Sequence, residues 1–129
     1  MRNVAACIGV MALMLSAGAQ ATPALAGEDL TADEFTAMIV GKKLHHVSVD
    51  MAPLEAYLIF NPNGTLNGAW SSGSKSGAIA GLWKFDGNKV CSTGKTTRKA
   101  ECVTYRKVDD HFVDVWPNGS LHGVDTVGE

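Results

Sequence analysis

The sequence predicts a mainly β protein: a small antiparallel up-and-down barrel or curled sheet of about eight strands, with one short N-terminal helix. Three observations carry this. From Leu44 onward the side chains run in short stretches of period two. Between these stretches lie turn sequences, among them Asn61-Pro62-Asn63-Gly64, Asp86-Gly87-Asn88 and Pro117-Asn118-Gly119. The connections are also too short for long crossovers, which favours neighbouring hairpins and makes a two-sheet sandwich the second choice.

The first residues read as a targeting segment. Met1-Arg2-Asn3 is a positive start, Val4 to Leu15 is apolar without a charge, and the first acidic residue is Glu28. Small-residue cleavage sites end at Ala19, Ala21 and Ala26, and the last is favoured. The expected division is a signal peptide over 1–26 and a single β-rich domain over 27–129. The apolar run is well short of the ~20 residues of a spanning helix, so no stable membrane insertion is expected after cleavage. Cys7 lies inside that run, too early to serve as a lipid acceptor.

About 103 residues then remain, enough to bury roughly 60–65% of the unfolded chain's surface. Such a core is modest, and a covalent staple supports it. Removing Arg2 reduces the 11 basic residues to 10 against 13 acidic ones, a net charge of −3. That weak acidic balance argues against nucleic acid or an anionic membrane as partner. Cleavage also removes Cys7 and leaves Cys91 and Cys102, the pattern of one disulfide in an oxidising compartment. A redox pair usually has Cys-x-x-Cys spacing, and no histidine is near enough in sequence to complete a zinc site. The expected location is periplasmic or secreted.

In chain order, Thr31 and Glu34 form a capping box, Asp33 and Glu34 favour the helix dipole, and Gly41 is a stop. Phe35, Met38 and Ile39 share one face of this helix, which is expected to plug the sheet structure. In the first strand His45, Val47, Val49 and Met51 alternate with Leu44, His46, Ser48 and Asp50. Leu54 to Phe60 and Thr65 to Trp70 follow, with Leu66 and Trp70 on one face. Ser71 to Gly77 reads as a flexible loop. Ala78 to Phe85 points Ile79, Trp83 and Phe85 one way, with Gly81 leaving a gap for another segment. Lys89 to Thr93, a basic loop over Gly94 to Lys99, Ala100 to Val108, and a last hairpin of His111 to Trp116 and Leu121 to Val127 complete the chain. The turn Pro62-Asn63-Gly64-Thr65-Leu66-Asn67-Gly68 resembles Pro117-Asn118-Gly119-Ser120-Leu121-His122-Gly123, two uses of one turn chemistry.

Chemical motifs are sparse. Gly94-Lys95-Thr96 ends like a phosphate loop, but Lys89 stands where the first glycine belongs and no helix follows. Adjacent His45 and His46 face opposite sides of a strand. The four histidines form no recognisable metal pattern, so neither metal nor cofactor is expected. His111 and His122 lie on the last hairpin within reach of Asp114 and Asp125, which makes an enzyme built on them a remote alternative. There is no nucleophile elbow, and no catalytic residue is assigned. The candidate binding residues are those of the two polar loops: Ser72, Lys75, Lys95 and Arg98.

Two resemblances add to this. Gly68-Ala69-Trp70 and Gly81-Leu82-Trp83 are Gly-x-Trp sequences of the kind found in lipocalins, whose barrels hold a hydrophobic ligand. Across the mature chain, Leu30-Thr31-Ala32-Asp33-Glu34 with Gly41-Lys42, Phe60 with Asn63-Gly64-Thr65, Gly81-Leu82-Trp83 and the pair Cys91 and Cys102 resemble a family of small exported alpha-proteobacterial proteins of unknown function. That likeness implies export and a small β-rich fold. The expected function is a non-enzymatic binding module for a small hydrophobic molecule or an envelope protein. The alternative is an inhibitor of a secreted hydrolase acting through a detachable segment over 27–41.

Overall fold

Thr31 starts the first element. Its Oγ1 accepts from the Glu34 amide at 3.1 Å, and Glu34 Oε1 accepts from the Thr31 amide at 2.9 Å. This reciprocal cap satisfies two of the N–H groups that a helix start leaves unpaired. The helix it opens is α1 (Ala32–Met38). Residues 27–94 and 99–128 are described by the computed structural model. After α1 the chain turns at Gly41, whose amide donates to the Phe60 carbonyl at 2.8 Å and so ties the helix to the sheet end.

Eight strands follow: β1 (Lys43–Ser48), β2 (Glu55–Phe60), β3 (Thr65–Ser72), β4 (Lys75–Asp86), β5 (Lys89–Gly94), β6 (Glu101–Val108), β7 (His111–Val115) and β8 (Leu121–Val127). Each pairs antiparallel with its neighbour in sequence, and β1 also pairs with β8. The sheet therefore closes into an up-and-down barrel, which leaves no unpaired edge.

Tight curling needs close backbone approach, and Gly81 supplies it. A Cβ there would collide with the Thr93 carbonyl of the adjoining strand, which explains the gap between Ile79 and Trp83. Outward positions such as Lys43, Glu55, Asn67 and Lys84 are exposed. Among the described residues no helix is long and apolar enough to cross a membrane.

One stretch differs from the sequence reading. Ser71 to Gly77 is not a flexible loop. The β3–β4 ladder runs through Ser71↔Ser76 and Ser72↔Lys75, leaving only Gly73 and Ser74 as the turn. Gly73 has a φ of +63°, a conformation that a two-residue hairpin requires and glycine adopts freely. Backbone pairing needs no apolar side chain, so a serine-rich segment extends the ladder as well as an apolar one.

The two similar turns share their hydrogen bonds. Asn63 Oδ1 accepts from the Thr65 amide at 3.1 Å and its hydroxyl at 2.7 Å. Asn118 Oδ1 does the same with Ser120 at 2.9 and 2.7 Å. They cap opposite ends of the barrel, so one local chemistry serves two places.

The helix end is closed. Phe35, 1% exposed, packs among Phe60, Trp83, Phe85 and Tyr105 with ring centroids 5.0–6.0 Å away. The Leu30 amide donates to the Tyr105 carbonyl at 2.7 Å, and Arg106 Nε lies 2.8 Å from Asp29 Oδ1. The segment on which an inhibitor would rely as a detachable arm is thus packed into the barrel from Asp29 to Ile39.

Cys91 and Cys102 stand opposite one another in the β5–β6 register and form a disulfide. The bond joins two strands that share three paired positions among the described residues. On the chain-entropy account it contributes about 3 kcal/mol. Reduction of the folded protein is expected to lower its urea-unfolding free energy by about that amount. A change under about 0.5 kcal/mol would show that barrel closure alone restrains this hairpin. The bond points to an oxidising, extracytoplasmic setting.

Candidate functional site

Inward-facing side chains leave the barrel open above its aromatic floor. A cavity of about 540 Å³ rises from Phe60 and Tyr105 toward the end opposite α1. Leu58, Leu66, Ile79, Val90 and Val103 form its apolar side. Met51, Leu54, Trp70 and Trp116 stand toward the mouth. Small-molecule sites have this composition: a largely apolar wall with a few convergent polar groups.

Ser92, Thr93, Glu101 and Tyr105 line the cavity from β5 and β6, and a polar cluster comes from β1, β7 and β8. In β1 the inward residues are Leu44, His46 and Ser48, all buried. His46 Nδ1 lies 2.7 Å from Asp125 Oδ1, its register partner on β8, and 3.6 Å from Asp114 Oδ2 on β7. Room for the ring comes from Gly123, where a Cβ would strike the imidazole.

Next to it the β7–β8 ladder shifts: Asp114 pairs with Gly123 but Val115 pairs with Leu121, leaving His122 as the extra residue. Such a bulge re-aims a side chain, and His122 lines the cavity with its ring centroid 5.0 Å from that of His46. On its outer side His122 Nδ1 lies 2.8 Å from Asp50 Oδ1, while Trp116 Nε1 donates to Asp50 Oδ2 at 2.6 Å. Donor atoms of His46, Asp114 and His122 all lie within 4.8 Å of one another, a set able to hold a metal ion.

The buried carboxyls are electrostatically costly. Burial, and then the charge of Asp125, push Asp114 up to about 7, with His46 and His122 acting in the opposite direction. Burial raises Asp125 to about 8. Asp114 Oδ1 and Asp125 Oδ2 make no hydrogen bond with the described protein atoms. Burial opposes ionisation of Asp50 too, but hydrogen bonds from Trp116 and His122 outweigh it and hold that carboxyl below its ordinary value. Burial keeps the Tyr105 phenol protonated well above its usual range, helped by the charges of Asp125 and Asp114.

Of the residues singled out in the sequence, Ser72 and Lys75 flank the β3–β4 turn at the mouth end, away from the polar wall. Lys95 and Arg98 lie outside the described residues. His122, Asp114 and Asp125 converge as the last hairpin allowed. His111 does not join them: strand alternation turns it away from Asp114, and its ring lies 3.3 Å from Asp110. The four side chains therefore do not meet in one place.

His46, Asp50 and Trp116 are the members that sequence reasoning missed. His46 and His122 have no metal-ligand spacing along the chain; they come together only across strands, with ring centroids 5.0 Å apart. One signal existed: His46 shares its face of β1 with Leu44. Comparison with family models, characterised proteins and solved structures found no match to this chain.

Proposed function

We propose that the protein is a non-enzymatic binding module of the periplasm or extracellular medium that holds one small molecule inside its barrel. The observation that carries this reading is the cavity of about 540 Å³, large enough for a small ligand, with an apolar side facing the His46–Asp114–His122 wall. An eight-stranded barrel has an interior just wide enough for one such ligand when its side chains do not fill it. The ligand that fits has an apolar body and one polar end. The reading agrees with the lipocalin-like Gly-x-Trp strands and with the exported family that the chain resembles.

The test is native mass spectrometry of protein purified from its own envelope, with titration of an environment-sensitive hydrophobic probe. A retained small molecule or saturable probe binding is expected. Ile79→Trp, which fills the apolar side, should abolish binding while the β-sheet circular dichroism persists. A clean apo mass together with no probe binding would overturn the reading.

A further inference from the structure

We propose that His46, His122 and Asp114 form a binding site for a divalent transition-metal ion, Zn²⁺ fitting best, on the polar wall of the cavity. Two imidazoles and one carboxylate suit such an ion better than Mg²⁺ or Ca²⁺, which prefer all-oxygen sets. The donor atoms lie within 4.8 Å of one another. Around a tetrahedral ion bonded at about 2.1 Å they would stand about 3.4 Å apart. Turning these side chains about their own bonds brings the donors together, and His122, set at the bulge, has the most room to turn.

Two further observations point the same way. Each imidazole already has a carboxylate on its Nδ1: Asp125 at 2.7 Å from His46 and Asp50 at 2.8 Å from His122. Metal-ligating histidines almost always have such an orienting partner on the other ring nitrogen, which fixes the tautomer and strengthens the donor. With Nδ1 of each ring so engaged, an ion taken by Nε2 would leave both carboxylate contacts in place. Asp50 is itself fixed by Trp116 Nε1 at 2.6 Å and Ser48 Oγ at 3.2 Å. The second observation is Asp114, 2% exposed, whose Oδ1 has no hydrogen-bond partner among the described residues. A buried acceptor left without a donor is costly, and a cation satisfies it.

Three protein ligands leave a fourth position facing the cavity. Its use by the polar end of a bound molecule rests on the proposed binding function; the metal site itself does not.

The experiment is calorimetric titration of Zn²⁺ into tag-free, chelator-treated mature protein with no organic ligand present, alongside visible absorption of the Co²⁺ form. One ion per chain is expected, with the Co²⁺ bands of a four-coordinate nitrogen–oxygen site. His122→Ala and Asp114→Asn should each weaken binding at least about 100-fold, and Asp50→Asn, which among the three proposed ligands touches only the outer nitrogen of His122, about 10- to 100-fold. His45→Ala and His111→Ala should bind as the parent does. His122 is partly exposed, so its alanine variant is expected to fold, and circular dichroism checks each protein. Absence of binding in the parent, binding that survives both His122→Ala and Asp114→Asn, or loss on His45→Ala or His111→Ala would overturn the site. Organic-probe binding measured separately keeps its failure distinct from failure of the cavity reading.

Discussion

Phe35→Ala is expected to cost about 3–5 kcal/mol of folding free energy. The ring is 1% exposed and meets four other rings edge-on or tilted, at 5.0 Å from Tyr105 and 5.3 Å from Phe60. Its removal leaves a hole that the closed barrel cannot collapse to fill, because the surrounding strands are fixed by their ladders. The loss extends beyond the ring. A helix of seven residues is not stable alone, so α1 depends on this anchor to stay in place. Against a usual total of about 5–15 kcal/mol, that is a large fraction. Urea unfolding measures it, with exposed Thr36→Ala as a control near zero. A loss under about 1 kcal/mol would show that the barrel end closes without the plug.

Metal-free protein is expected to become more stable as the pH falls from about 9 to about 6. Asp114 and Asp125 have folded-state values of about 7 and about 8 against an ordinary 3.8. Between those limits the folded chain holds protons that the unfolded chain has released, so raising the pH favours unfolding. The contribution is fully present below the unfolded value and is lost as the pH rises through the folded ones. One proton shared by the pair gives a slope on the order of 1.4 kcal/mol per pH unit. His46 on β1 and His122 on β8 face the pair and oppose the shift when charged, while Tyr105 on β6 stays neutral throughout. Asp50 has the opposite sign, but its window lies near its own low value. Urea midpoints across the range read the slope, and the double variant Asp114→Asn/Asp125→Asn should flatten it. A stability that stays flat across the range would show that the pair is ionised in the fold.

The barrel was largely legible along the chain, because a closed up-and-down sheet is built from local decisions. Each Pro-Asn-Gly or Asp-Gly turn sets one hairpin, and each period-two stretch sets one strand. The exception at Ser71–Gly77 follows from the same logic, since polar residues carry no inward signal yet pair through their backbones.

The polar wall was only half legible. His122, Asp114 and Asp125 lie on one hairpin and could be seen to approach. His46 could not, because β1 is misleading: Val47 and Val49 face outward, 44% and 49% exposed, while His46 faces in. A hydrophobicity reading of that strand favours the wrong face. Only its pairing with β8 decides which set points inward, and that pairing joins residues 79 positions apart.

By itself, then, the amino-acid sequence determined the hairpin order of the strands, most of the turns, the helix cap and the cysteine pair, each of which rests on residues close together in the chain. Tertiary structure alone decided the site. Closing β1 onto β8 sets His46 over Gly123 and against Asp125, and a one-residue bulge brings His122 to the same wall. The physical reason is that these groups converge across the barrel, and their convergence is set by register, which no local pattern encodes.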